Sequence, residues 1–522
     1  MSDLQGWSWV LLIAYLGAMI AVGFVARARV TSGDDFATAR RSYSPLFLAF
    51  AFAATVASGG TFIGFPAIAY DAGTAATWAI ALYPAGVYLG VLACLRLVTE
   101  TGHRFGSRSI PEFLGERYGS EAVRILVSLF SLMLFFYLAG QLVSGIVMFE
   151  VMLGLDENWA LVLTTLVLLV YIVLGGAHAD IMTDGVQGAV MVALGLVVLA
   201  LFLVGGGVDG GLPGLLSNLR EQDSNLVGWI NPAYPMYHSA WSLVAVLLAH
   251  VPLGMLPHIG NKLWALDSSR SRHRFIGYAA GMSLALAMLG LGGLLARGLL
   301  PETLADGNMA LPGLFIEVFP GWLAALVGVG VLAAVMSTAD GLVVSSSQII
   351  ANDLYRLSYA PRFRPYLSAA ELDRRTLNLS RVSTAGVVAV TALMAWALRD
   401  MNVTLLVWAG TGGMMAAFAG PLVLGSLWKG VTRAGCFAGL GGGAGVFILT
   451  HSGVVSPEWF EAEPLRIAAV WLKGEAPNPF SCAAIGEVVS VMLTWGVSLV
   501  TPKLPNGHLA QMFPRSKESF NE

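Results

Sequence analysis

Ser337-Thr338-Ala339-Asp340-Gly341, followed by Ser345-Ser346-Ser347-Gln348, lies inside a stretch that is otherwise apolar from Trp322 to Tyr355. The stretch is long enough to cross a bilayer. Hydroxyls and a carboxylate at mid-depth are costly to leave unpaired in hydrocarbon, so such groups face a water-filled cavity or an ion path inside a helix bundle. The pattern implies an all-α membrane protein with a transport role.

The composition agrees. Of 522 residues, 56% are hydrophobic and only 12% charged, the mean hydropathy is +0.73, and 61 residues are glycine. Small residues let membrane helices approach closely, and broken helices are tolerated beside cavities. The formal charge of −3 gives no sign of a nucleic-acid partner. Cys94, Cys436 and Cys482 sit in apolar segments without CxxC spacing, which reads as buried thiols rather than a disulfide framework or metal site.

With about 20 apolar residues as the ruler, thirteen spans are expected near 5–26, 45–71, 76–99, 122–153, 159–176, 181–205, 237–260, 274–298, 319–355, 379–399, 402–428, 432–451 and 480–501. The reading is a single membrane domain over 1–522. It has an extra first helix at 5–26, a ten-helix core at 45–428 and two C-terminal helices at 432–501. No basic segment precedes the first span, so it reads as a retained helix rather than a cleaved signal. Placing the N-terminus outside and the C-terminus in the cytoplasm puts 24 Lys and Arg on the inner side against 5 outside. That count has Lys262, Arg515 and Lys517 inside. The expected location is a cell membrane, plasma or bacterial inner, crossed many times.

Two spans are visibly interrupted. The second carries Ala57-Ser58-Gly59-Gly60-Thr61, with Pro66 beyond; the seventh carries Pro252, Gly254, Pro257 and Gly260. Gly and Pro loosen the helical ladder, and a freed carbonyl at membrane depth needs something to bind. Broken helices at matching places in two halves point to a secondary transporter's binding site. Spans two and seven fit a five-plus-five inverted repeat; the bland alternative is a pair of kinked packing helices. Ala54 and Ala57 lie roughly 15 Å into the second span and Ser337 about 22 Å into the ninth, at about 1.5 Å per residue. Both points fall near mid-bilayer. The carbonyls of Ala54, Ala57 and Ala334 with the hydroxyls of Ser337 and Thr338 make a five-oxygen set suited to a hard cation such as sodium.

Ala333-Ala334-Val335-Met336-Ser337-Thr338-Ala339-Asp340, continuing through Gln348-Ile349-Ile350 to Asp353-Leu354-Tyr355, resembles the sodium:solute symporter family. Supporting motifs are Gly175-Gly176 with Thr183-Asp184-Gly185-Val186-Gln187, Thr61-Phe62-Ile63-Gly64 with Pro66 and Tyr70-Asp71-Ala72-Gly73, and Leu256-Pro257-His258. The resemblance covers spans two to eleven and implies the leucine-transporter fold. Carried over by motif, the family's sodium site falls on Ala54, Ala57, Ala334, Ser337 and Thr338, and its aspartate near the inner sodium exit on Asp184. Proline-type members carry an acidic residue where this chain has Val56, and the polar residues of sugar-type members are replaced by Gly59, Gly60 and Thr61. In look the chain is nearer the pantothenate and monocarboxylate branch.

Other residues carry paired readings. Ser337 and Thr338 ligate sodium or back-bond within their helix. Asp340, one turn inward, lines a cytoplasmic vestibule outside the ion shell. Asp184, a few residues into its helix, guards the sodium exit or complements a helix N-terminus. Tyr137 and Gln141 share a helix face and either hydrogen-bond solute or bridge helices. Gly60, Thr61, His250, Pro252, Leu253 and Met255 are placed at the solute pocket or gate. His258 reads as a partner of freed backbone groups, and Lys262 as a side chain snorkelling to the interface. Trp408 and Thr411, beside Gly410 and Gly412-Gly413, break the eleventh span into an outer lid. The glycines from Gly439 to Gly445 read as helix packing, not a phosphate loop.

The function expected is sodium-driven import of a small organic solute by alternating access, favouring a monocarboxylate or pantothenate-like molecule. Amino acid, proline or sugar is the alternative. A proton-coupled carrier would use Asp340 or His250 instead of sodium; a sensor would need a signalling domain, for which the tail from Thr501 leaves no room. No nucleophile and base pair, metal cluster or nucleotide motif suggests an enzyme or an ATP-driven pump. The partners implied are sodium as coupling ion, the solute and the lipid bilayer, with no organic cofactor, nucleic acid or obligatory protein partner.

Overall fold

The computed structural model describes residues 2–300, 304, 307–399, 401 and 403–513, and among these every regular element is helical. Arg515, Lys517 and the edge of the expected eleventh span at 402 lie outside the described residues. The membrane helices begin with α1 (Ser2–Arg27). The second span is broken into α2 (Pro45–Val56) and α3 (Phe65–Ala72). There follow α4 (Trp78–Phe105), α5 (Leu134–Leu153) and α6 (Glu157–Leu203). The seventh span is α7 (Ala240–Ala249) and α8 (Pro257–Gly260), succeeded by α9 (Ser269–Ala287), α10 (Gly321–Gln348) and α11 (Ala369–Leu398). The chain closes with α12 (Val403–Phe418), α13 (Arg433–His451) and α14 (Pro479–Val500).

Ten helical segments among the described residues are long and apolar enough to cross a membrane, or eleven if Ala240–Met255 and Pro257–Ala265, bent by 53°, count as one. The expected thirteen is therefore not reached by length and hydropathy. Two of its members are the reason. Pro45–Val56 is only 12 residues before the backbone breaks, and Glu157–Leu169 is a short apolar helix in the first part of α6. The expected spans at 159–176 and 181–205 are two helices that meet at Gly176, a non-helical residue whose φ of 52° an L side chain rarely adopts. A Cβ there would also strike Phe36.

Helix starts follow local chemistry. Ser44 caps α2 by accepting from Phe47 N–H, with Pro45 in the first turn, and Ser239 caps α7 through Ser242 N–H. α1 packs outside α6 and α10, and Gln187 Nε2 donates to Tyr15 OH at 2.6 Å. α10 lies at the centre, with every residue from Val327 to Gln348 buried.

α13 and α14 are zipped by small residues. Gly435, Gly439 and Gly443, four apart, face Ser498, Thr494 and Ser490. A Cβ on Gly439 would meet Thr494 Oγ1 and, at 3.0 Å, the carbonyl of Ser490; one on Gly441 would meet nothing within 4 Å. All three cysteines are free and buried. Gly439→Leu is expected to destabilise the detergent-solubilised protein by about 1–3 kcal/mol through overpacking. Gly441→Leu is expected to stay within about 0.5 kcal/mol. Thermal unfolding of the two variants side by side checks this, and equal melting would refute the zipper.

Candidate cation and solute site

A continuous helix would bond the N–H groups of Ser58, Gly59 and Gly60 to the carbonyls of Ala54, Thr55 and Val56. All three bonds are missing, and all six groups are satisfied elsewhere. Ser58 N–H turns to Val56 O at 3.1 Å, Gly59 N–H to Gln141 Oε1 at 3.0 Å, and Gly60 N–H to Ser58 Oγ at 3.0 Å. The carbonyls accept hydroxyls from two other helices: Ser337 donates to Ala54 O at 3.1 Å, Thr338 to Thr55 O at 3.1 Å, and Tyr83 to Val56 O at 2.8 Å. Thr61 N–H bonds Ser58 O, which releases the Ala57 carbonyl from the ladder.

The structure thus brings Ala54, Ala334 and Ser337 together, since Ser337 Oγ also lies 3.0 Å from Ala334 O. Its single proton serves one carbonyl at a time, so lone pairs remain for a cation. Thr338 lies beside this group but reaches Thr55, not Ala54 or Ala57. Ala57 sits in the break itself, with φ −84° and ψ 80°. All five expected ligands are buried. Neutral carbonyl and hydroxyl oxygens of this kind fit a hard monovalent cation.

Beside the break lies a cavity of about 50 Å³, room for a few waters. Of the expected pocket residues, Gly60, Thr61, Tyr137, His250, Leu253 and Trp408 line it, as does Thr411. Gln141, Pro252 and Met255 do not. Gln141 instead stands behind the break as a bridge to Gly59, and Met255 is buried in the turn after α7. Val56, Ser58, Tyr83 and Phe480 complete much of the wall. His250 Nδ1 donates to Val246 O at 2.6 Å, which leaves Nε2 of a neutral ring as acceptor. Its ring makes edge contacts with Tyr83 at 4.7 Å and Trp408 at 5.4 Å, and Trp408 meets Phe480 at 4.6 Å. Phe480 belongs to α14, outside the expected ten-helix core, and nothing in its local sequence marks it.

Several expectations are corrected. Lys262 does not snorkel: it is 3% exposed and ion-paired to Asp180 at 2.8 Å and Asp184 at 2.5 Å. Asp184 is not at a helix start, because α6 runs on unbroken from the kink at Gly176. It accepts from the Thr55 hydroxyl at 2.6 Å. Among the described residues neither nitrogen of His258 has a hydrogen-bond partner; its ring packs on Tyr137 at 5.4 Å, so it does not serve the freed backbone. α12 is helical through Gly410 to Gly413 and loosens only at Ala419–Leu424, around Pro421. Asp340, fully buried, lies 3.3 Å from Thr183 Oγ1 on α6. Asp180 escaped the sequence reading; its spacing of one helical turn from Asp184 was the available signal.

Residues 36–443 match the sodium:solute symporter family. The chain belongs to that family. It is 28% identical to a sodium/pantothenate symporter of Haemophilus influenzae, covering 84% of this chain and 89% of that one. It is 29% identical to the high-affinity proline transporter PutP of Bacillus subtilis, covering 85% and 92%. Its fold is that of a Na+-coupled sialic acid symporter solved in a substrate-bound outward-open state, with a TM-score of 0.73 at 18% identity over 95% and 98% of the two chains. This family member is therefore an all-α, multi-pass membrane protein of the leucine-transporter fold. Its broken second and seventh spans mark corresponding places in the two repeats.

The bridge from Gln141 is directly testable. Gln141→Leu keeps volume but strands the buried Gly59 N–H, at a cost of about 1–3 kcal/mol. A thermal unfolding midpoint equal to wild type would show that the break does not need this acceptor.

Proposed function

We propose that this chain is a sodium-coupled symporter that imports a small organic solute by alternating access. One observation carries the reading: a single segment, Ala54 to Thr61, supplies both the carbonyl bonded to Ser337 and the wall of the solute cavity at Val56, Ser58, Gly60 and Thr61. An ion among the oxygens of Ala54, Ala57, Ala334, Ser337 and Thr338 would fasten α2 to α10 and set the shape of the adjoining pocket. Rocking of the helix bundle then opens the inner side. Asp184 lies on the exit route. The driving force is the sodium gradient plus the membrane potential, the latter about 2.3 kcal/mol per charge per 100 mV.

The solute we favour is a monocarboxylate or a pantothenate-like molecule. Among the described residues those lining the cavity include no Asp, Glu, Lys or Arg, and Val56 lies on its wall. Neither an ammonium nor a carboxylate of the solute meets an opposite side-chain charge there, so the preference against proline rests on Val56 standing where proline-type members carry an acidic residue. His250 Nε2 offers an acceptor to a solute hydroxyl or amide N–H. The excess of Lys and Arg on one side favours a cell membrane location with the N-terminus outside and the C-terminus in the cytoplasm.

Two measurements test this. Purified protein screened by thermal shift against carboxylates, vitamins, amino acids and sugars is expected to be stabilised by a carboxylate or pantothenate-like solute in sodium and not in potassium. Ser337→Ala and Thr338→Ala are expected to raise the sodium concentration for half-maximal uptake, by about tenfold for Ser337 if the lost ligand is worth about 1.4 kcal/mol. Unchanged sodium dependence in both folded variants would remove the site.

A further inference from the structure

Lys262 lies on the turn Asn261–Ala265 that follows α8, in the second half of the broken seventh span. Its ammonium holds Asp180 and Asp184, which stand one turn apart on α6. Asp184 Oδ2 also accepts from the Thr55 hydroxyl, and the Thr55 carbonyl accepts from Thr338. Two hydrogen bonds thus join the carboxylate to a candidate sodium ligand. Among the described residues no hydrogen-bond donor reaches Oδ1 of Asp180 or of Asp184. One ammonium answers two carboxyl groups, and each of them keeps an oxygen that no donor reaches among the described residues.

We propose that Lys262 is a positioning residue for the coupling ion, a tethered cation that occupies Asp180 and Asp184 so that a sodium ion leaving the site is not trapped by them. This rests on the symporter reading and extends it. Two buried carboxylates without a counter-ion would attract any mobile cation strongly, because attraction grows as the surroundings become less polar. A covalently held ammonium satisfies most of that attraction while remaining unable to diffuse away. The carboxyl oxygens left without a donor still draw sodium past Thr55. The balance between holding and releasing the ion is set by the number of charges in the cluster.

The test reads sodium affinity by two routes, sodium-dependent thermal stabilisation and solute uptake. Lys262→Met is expected to lower the half-saturating sodium concentration about tenfold and to slow maximal uptake, the mark of an ion bound tightly and released late. Lys262→Arg, which keeps the charge, is expected to retain the wild-type value. Asp180→Asn shifts the charge the other way and is expected to raise half-saturation severalfold, so it carries the measurement should Lys262→Met fail to fold. Adding Asp180→Asn to Lys262→Met is expected to bring affinity back toward wild type. Folded charge variants with wild-type half-saturation would overturn the proposal, as would a shift of the same sign in both single variants. A wild-type protein indifferent to sodium would instead overturn the symporter reading.

Discussion

The absence of three ladder bonds between residues 54 and 60 organises the rest of the molecule. In water such a break would be hydrated; within lipid, each unpaired backbone group costs several kcal/mol and must find a partner in the protein. The partners come from α4 through Tyr83, from α5 through Gln141, and from α10 through Ser337 and Thr338. These four side chains fix how the three helices stand around α2. Close approach elsewhere serves the same end. Gly254 is so near Val87 and Val91 that a Cβ would crowd both, which keeps the broken seventh span tight against α4.

Such a break is bistable in a way that a continuous helix is not. A hydroxyl that donates to a carbonyl can keep that bond and still offer a lone pair to a cation, or turn to another acceptor. Ser337 has two carbonyls within reach, at Ala54 and Ala334, and Thr55 Oγ1 has two acceptors, Ala51 O at 2.9 Å and Asp184 Oδ2 at 2.6 Å. Each has one proton to give. Thr338, which donates to the Thr55 carbonyl, and the Thr55 hydroxyl, which donates to Asp184, join this region to the ion-paired cluster of Asp180, Asp184 and Lys262.

The polar run at Ser337 was legible because polar groups in a long apolar segment have few affordable places. The same logic located the break at Ala57 to Thr61 from its glycines. Burial of α10 on all sides also explains why amphipathic periodicity gave no help there: a helix surrounded by protein has no polar face. What stayed illegible depends on long-range pairing. Lys262 looks like an interfacial lysine until Asp180 and Asp184, some 80 residues earlier, are seen to meet it. Tyr83 and Phe480 are ordinary aromatic residues in apolar helices, and only the packing of α4 and α14 turns them toward the cavity. Gln141 stands out as a polar residue in an apolar helix, yet whether it meets solute or bridges helices depends on where Gly59 N–H points. The expected thirteen spans are not all recovered by length and hydropathy, because helices broken near mid-membrane do not have the lengths that the hydropathy ruler assumes.

A shared segment also sets how strongly ion and solute can influence one another. A ligand shifts a conformational equilibrium only by the difference in its affinity for the two states. If sodium and solute each contacted separate rigid helices, neither would sense the other. Here both would contact residues 54–61, where Ala54 and Ala57 offer backbone carbonyls on one side and Ser58, Gly60 and Thr61 line the cavity on the other. Ordering that segment once serves both ligands, so whichever binds first lowers the ordering cost for the second. By linkage the benefit is equal in both directions. Gly59 and Gly60 matter here beyond permitting the break: glycine loses more conformational freedom on ordering than any other residue, which raises the ordering cost that the first ligand would remove. A stiffer sequence at these positions would preform both sites, tighten binding of each alone, and thereby weaken the dependence of one on the other.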